Sequence, residues 1–151
     1  MPLITCLVGL CGSGKTPLAK QIETETGARR FEMVLPGDAA GAVRWEALRR
    51  TVLLGQDCIV EEAYFCVPAN REWFEGQLKN MPNVTLRWIY FEKDLESANW
   101  NVLHGAKFRG KPDVQGHFVI NEQLFAHYLI PEGAAIPLPI KRCPEDPSAS
   151  I

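Results

Sequence analysis

Residues Gly9-Leu10-Cys11-Gly12-Ser13-Gly14-Lys15-Thr16 spell the pattern G-x-x-x-x-G-K-[ST] in full, and no other feature constrains this chain as strongly. The glycines free backbone N–H groups to converge on phosphate oxygens, with Gly12, Ser13 and Gly14 at the centre of the turn. Lys15 supplies a positive charge for the β and γ phosphates, and the Thr16 hydroxyl is an oxygen ligand suited to Mg²⁺. The pattern is short, so its setting decides its worth. Before it runs Leu3-Ile4-Thr5-Cys6-Leu7-Val8, an apolar stretch of the length of a strand buried in a parallel sheet. After it, Pro17 to Glu23 reads as a helix with Leu18 and Ile22 on one face and Gly27 as its stop. Pro17 falls in the first helical turn, where a missing N–H costs nothing, so the positive end of the helix still faces the loop.

Strand and helix alternate through the rest of the chain. Phe31 to Leu35 is expected as a second strand, Ala42 to Gly55 as a helix with Trp45, Leu48 and Val52 on one stripe, and Asp57 to Ala63 as a third strand. A helix from Pro68 to Met81 follows, then a strand over Val84 to Phe91, then a helix capped by Asp94 and running to Leu103. A further helix is expected near Val119 to Leu129, and Ala135 to Ile140 as a short rim strand limited by its prolines. This order predicts an α/β three-layer fold of the P-loop NTPase class, a parallel sheet with helices on both faces and a short basic lid.

At 151 residues the chain fits one domain, expected over residues 1–140, with a flexible Pro- and Ser-rich tail over 141–151. Acidic and basic residues number 18 and 16 and the basic ones are scattered, which argues against a broad positive face for nucleic acid. No apolar run approaches the roughly 20 residues of a membrane span and no cleavable leader is visible, so the expected location is cytoplasmic. The five cysteines are an odd set without C-x-x-C spacing and read as reduced, with no zinc site. Cys11 stands apart, because a thiol beside a helix N-terminus is open to acidification.

Three further places carry chemistry. Glu61 and Glu62 end the third strand at the carboxyl edge of the sheet, where open α/β folds bind ligands. Strand side chains alternate faces, so one of the two points toward the phosphates and the other away; Glu62 is taken as the metal-shell residue beside Thr16. Asp38, in the turn after the second strand, is either a turn residue bonding nearby backbone N–H groups or the base that takes the proton of an attacking hydroxyl. The stretch from about His104 to His117 loses all periodicity and carries Lys107, Arg109 and Lys111 among glycines. It reads as a solvated loop or as a lid that brings Lys107 and Arg109 onto the transferring phosphoryl group.

The chain resembles the small P-loop kinases grouped around the 5′-hydroxyl polynucleotide kinases, from the N-terminus to about Pro131. The resemblance rests on the Gly9–Thr16 loop, on Cys58 to Tyr64 followed by Pro68, Arg71 and Trp73, and on Asn99 to His104 followed by the basic stretch and a helix ending at Tyr128-Leu129-Ile130-Pro131. It implies an ATP- and Mg²⁺-dependent transfer of the γ-phosphoryl group to a hydroxyl, on a polynucleotide 5′ end or a small molecule. Lys15, Asp38 and Arg109 would be catalytic. Where such kinases carry arginines in the lid helix, this chain has Trp100 and His104, and Glu62 stands in place of an Asp. Either Lys107 and Arg109 supply the missing charge, or the chain binds ATP in a regulatory role without a phosphoryl acceptor. A switch-type GTPase is disfavoured, because no N-K-x-D base-reading motif is present.

Overall fold

The computed structural model describes residues 1–108 and 113–149. Its parallel sheet holds β1 (Leu3–Val8), β2 (Arg29–Glu32), β3 (Cys58–Glu61) and β4 (Thr85–Tyr90) in the order β2-β3-β1-β4. The helices are α1 (Lys15–Thr26), α2 (Ala39–Leu53), α3 (Pro68–Leu78), α4 (Leu95–His104) and α5 (Val114–His127), with a 3₁₀ turn over Ala63–Cys66. β1 is central, buried between two neighbours, which explains its unbroken apolar run.

Period-two alternation sorts the sheet residues onto two faces. Leu7 and Ile59 pack with Ala19 and Ala28, and Leu18, Ile22 and Ile89 close that layer under α1. On the other face Cys6, Cys58 and Val60 join the larger core, where Trp45 of α2, Phe65, Phe74 of α3 and Trp88 of β4 meet edge to face at centroid distances of 5.1 to 6.1 Å. Helices thus cover both faces.

Several boundaries differ from the sequence expectation, each for a local reason. β2 begins at Arg29 and stops at Glu32, because Met33 adopts φ 53°, a left-handed conformation no strand continues through. α2 starts at Ala39, earlier than its apolar stripe, since the Asp38 carboxylate accepts the Gly41 N–H at 2.7 Å and caps it. α5 starts at Val114, five residues ahead of the apolar pattern, with Asp113 accepting the Gly116 N–H at 3.0 Å. The expected rim strand reduces to one bridge, Phe91 with Leu138, beside β4. Gly27, at φ 73°, closes α1 by donating to the Glu23 carbonyl, as its position predicts.

Residues 141–149 have no helix or strand, as their composition dictates, but they lie along α4. Trp100 Nε1 donates to the Cys143 carbonyl, Cys143 N–H donates to Asn101 Oδ1, Arg142 Nε donates to Ser97 Oγ, and Asp146 N–H donates to His104 Nδ1. The segment expected as a free tail is held by side chains that sequence reading had assigned to a lid helix.

Arg71 of α3 joins three parts of the fold. It is 6% exposed, and its guanidinium donates to the carbonyls of Phe65 and Cys66 in the 3₁₀ turn and of Leu129 after α5, while lying over the Tyr90 ring. A helix-start arginine that the family resemblance singles out thus works here as internal scaffolding. Arg71→Met keeps the apolar stem but leaves three carbonyls without a donor, and a loss of about 3 kcal/mol is expected. Urea unfolding checks this: the midpoint should fall with the slope unchanged.

Candidate functional site

The site begins where β1 ends. Val8 leads directly into the Gly9–Thr16 loop, and α1 opens at Lys15 behind Gly14, which sits at φ 108°. Gly12 has φ 87°, and a Cβ there would lie 2.3 Å from the Ala98 carbonyl oxygen of α4, so only glycine fits between loop and helix. Two asparagines hold the loop from outside. Asn121 of α5, fully buried, accepts the Cys11 N–H at 2.7 Å and donates to the Cys11 carbonyl at 2.9 Å. Asn101 of α4 donates to the Gly12 carbonyl at 2.8 Å. These residues were missed in the sequence reading. One signal for Asn121 was available, since it shares the core stripe of its helix with Leu124 and Tyr128 and is a polar residue at an apolar position.

Lys15 is 8% exposed, and its ammonium donates to the Gly9 and Leu10 carbonyls, both at 2.7 Å. Burial lowers its pKa, with Lys107 acting in the same direction and Glu61 against it. The Thr16 hydroxyl is the hub of the site. It donates to Glu61 Oε1 at 2.6 Å and accepts from Lys107 Nζ at 2.8 Å. Glu61 is buried and its other oxygen lies 3.5 Å from Arg30 Nη1 of β2.

Of the two strand-end carboxylates, the structure turns Glu61 to Thr16. The reason is parity: Glu61 shares the face of Ile59, the α1 side of the sheet, whereas Glu62 follows Val60 to the opposite side. Glu62 is buried and receives backbone hydrogen bonds from Leu35, Tyr64 and Ala63. Burial raises its pKa above the ordinary carboxylate range; those hydrogen bonds and the Lys15 charge oppose the rise without cancelling it.

Lys15 and Lys107 stand between two hollows. One, of about 380 Å³, is lined by Gly12, Gly14, Thr16, Asn101 and Gly105 together with Lys141 to Cys143. The other, of about 280 Å³, is lined by Cys11, Glu61, Glu62, Tyr64, Phe108 and His117. Glu62, Met33 and Tyr64 also border a third hollow of about 350 Å³, which contains Asp38 and Arg44. Asp38 is exposed and caps α2, so the turn chemistry expected of it is present, in a hollow adjoining that of Lys15. Lys107 and Phe108 form one end of the basic stretch, with Phe108 buried against His117 at a centroid distance of 5.0 Å. Arg109 and Lys111 lie outside the described residues.

These features, a parallel sheet whose central strand delivers a glycine loop to a helix N-terminus, decide the fold class. It is an α/β P-loop fold. A gluconokinase from Sinorhizobium meliloti 1021 shares it, with 12% identity, a TM-score of 0.55, and coverage of 91% of this chain and 81% of that one. A shikimate kinase from Acinetobacter baumannii in complex with shikimate aligns at 16% identity and a TM-score of 0.43, over 83% of this chain and 75% of that one. No protein-family model matches the chain, and no curated protein matches it in sequence. No helix among the described residues is long and apolar enough to cross a membrane.

The buried Glu62 makes stability depend on pH with a definite sign. Its folded-state pKa lies above the unfolded value, so its contribution is fully present below the unfolded pKa of about 4.3 and is lost as pH rises through the elevated value. Glu62→Gln removes the ionisation. Thermal melts across that interval should show wild type losing more stability with rising pH than the variant; parallel curves would contradict the assignment.

Proposed function

We propose that the protein is an ATP- and Mg²⁺-dependent phosphotransferase that moves the γ-phosphoryl group to a hydroxyl of a small acceptor. The observation that carries this reading is the Thr16 hydroxyl bonded at once to Glu61 and Lys107, beside Lys15 and between two hollows. Holding a triphosphate requires the loop amides and Lys15; transferring its end group also requires an oxygen ligand set, a cation over the phosphoryl group and room for an acceptor. All are within one cleft. The loop residues Gly12, Ser13, Gly14, Lys15 and Thr16, with Lys107, bind the nucleotide phosphates.

The donor set fits Mg²⁺, since Thr16 Oγ1 and Glu61 Oε1 are hard oxygens 2.6 Å apart. The metal role first given to Glu62 passes to Glu61, with Thr16 retained. When bound, Mg²⁺ neutralises charge on the terminal phosphate oxygens. The acceptor hydroxyl attacks the γ-phosphorus in line, its O–P bond forming as the bond to the β-γ bridging oxygen breaks and ADP leaves. The hydroxyl proton goes to Asp38, which with Glu62 lines the hollow adjoining that of Lys15. Lys15 and Lys107 stabilise the charge that develops, and Arg109 is assigned to the same role from sequence.

A polynucleotide 5′ end is the other acceptor consistent with the family resemblance. A small acceptor is preferred because Arg44 is the one basic side chain among the described residues lining the Asp38 hollow, too little to hold a run of phosphates. One observation favours the binding-only reading. At Trp100 and His104, where the resemblance places lid arginines, both side chains bond the C-terminal segment instead of facing the loop.

Calorimetry with ATP and Mg²⁺ should give a binding heat that Lys15→Ala abolishes. With labelled ATP, a screen of sugars, hydroxy acids, nucleosides, aminoglycosides and oligonucleotide 5′ ends should yield one class of phosphorylated product. Binding without any product selects the regulatory reading, and no binding removes both. Asp38→Asn preserves the helix cap, because asparagine caps equally well, and should keep ATP affinity while losing about 100-fold or more of kcat. Turnover equal to wild type would leave Asp38 as a cap only. Glu61→Gln should shift activity to higher Mg²⁺, whereas Glu62→Gln should leave the Mg²⁺ requirement in place.

A further inference from the structure

Helix α2 carries two apolar faces. Its core stripe, with Leu48, Thr51 and Val52 buried and Trp45 partly so, packs into the larger core. On the side away from Leu48, Val43, Leu53 and Leu54 are 70%, 57% and 86% exposed. A helix at the rim of a folded chain turns charged and polar residues to water, so a group of large aliphatic side chains there marks a contact surface.

Val43 and Leu54 border a hollow of about 580 Å³ that shares no residue with the three hollows around Lys15 and Asp38. It is a groove along α2, with Ala47 and Thr51 in its lining and Arg29 on its other side. Arg29 opens β2 and donates from Nη1 to Thr51 Oγ1 at 3.1 Å, which fixes the guanidinium against the helix. β2 is the outermost strand of the sheet, so the groove lies at the rim of the molecule.

The face is complementary to itself. Glu46 and Arg50 stand at equal heights below and above Leu48, and Ala42 and Val43 lie about as far below it as Leu53 and Leu54 lie above. A two-fold axis crossing the helix at that level sets α2 antiparallel to the α2 of a second copy. Leu54 then falls over Val43 of the second copy, Leu53 over its Ala42, and Glu46 beside its Arg50, each contact being made twice. Large side chains meet smaller ones at both ends, and the centre holds two carboxylates and two guanidiniums with no net charge. A parallel pairing would set Glu46 on Glu46 and Arg50 on Arg50 instead. Within one copy Glu46 lies 3.3 Å from Arg49 Nε and 3.4 Å from Arg50 Nε, and these pairs are exposed, so regrouping them across the two-fold costs little.

We propose that the outward face of α2 is a homodimer interface, in which the α2 of a second copy lies antiparallel along the groove between Arg29 and Leu54. The face of one 15-residue helix with its flanks is at the small end of stable interfaces, which bury about 800 Å² on each partner, so the dimer has a Kd of about 10 µM. The cleft of Lys15 stays open in this arrangement, and the pairing does not depend on what that cleft binds.

Sedimentation equilibrium of the full-length protein tests this. At about 100 µM the mass should approach twice the 16.9 kDa of one chain, and at about 1 µM it should fall toward that of one chain. Leu54→Glu places a charge in the contact without touching the core and should weaken association about tenfold or more. Glu46→Arg and Arg50→Glu each set like charges against one another across the two-fold, with a loss of similar size expected. Mixed in equal amounts, these two variants should recover the wild-type Kd to within a factor of about three, because the reversed charge of each then faces its opposite on the other. Circular dichroism of each variant should match wild type, since all three side chains lie on the solvent side of α2. A wild-type protein that stays monomeric at about 100 µM overturns the proposal. So does a dimer that none of the three substitutions weakens, and so does one that the two charge reversals weaken but mixing does not recover.

Discussion

The site depends on the confinement of one short turn, the Gly9–Thr16 loop between the central strand and α1. A chain in this conformation exposes amides to the ligand and would be free to rearrange if nothing opposed it. Here the Cys11 peptide is bracketed on both its N–H and its carbonyl by Asn121, the Gly12 carbonyl is held by Asn101, and the space beside Gly12 is filled by the Ala98 carbonyl. Two helices that follow the last strand therefore hold a loop that precedes the first helix. The cost of removing the buried Asn121 from water is offset by the three hydrogen bonds it makes, to Cys11 twice and to Asn99 once.

Charge in the cleft follows from that confinement. Lys15 has little solvent, and its ammonium is satisfied by the loop's own carbonyls. Glu61, Thr16, Lys107 and Arg30 form a chain of alternating donors and acceptors from the β2 edge to the basic stretch. An acidic and a basic hollow result on either side of the lysines. The α4 residues Trp100 and His104 turn from the loop face to the C-terminal segment while Asn101 bonds both, which makes the second hollow a joint product of the two ends of the chain.

Much of the architecture was legible because it rests on local rules. An apolar strand, a glycine turn and a helix with Gly27 at its end follow from hydrophobic period and backbone freedom within about 20 residues. The later boundaries moved where a side chain decided them: Asp38 and Asp113 extended their helices at the N-terminus, and Met33 cut β2 short. Cap geometry of this kind is weakly encoded by hydrophobic pattern, and a left-handed methionine is not encoded by it at all. Alternation showed that one of Glu61 and Glu62 would face the phosphates. Choosing between them required the register, Leu7 opposite Glu61, that ties β3 to β1.

What the sequence determined by itself is the phosphate loop with its strand and helix, because every group involved is within reach of its neighbours along the chain. The alternating α/β order followed for the same reason, and with it the parallel sheet. What only the tertiary structure decided is which distant groups meet that loop: Glu61 from another strand, Lys107 from the basic stretch, Asn101 and Asn121 from two helices, and Lys141 to Cys143 from the C-terminal segment. Asn121 lies 110 residues along the chain from Cys11, and contacts at such range are set by strand register and helix packing rather than by periodicity. A composition of proline, serine and charge correctly excludes helix and strand past Ile140. It carries no record of the amide, indole and imidazole groups on α4 that bond the segment's backbone, since those bonds do not depend on which residues the segment contains.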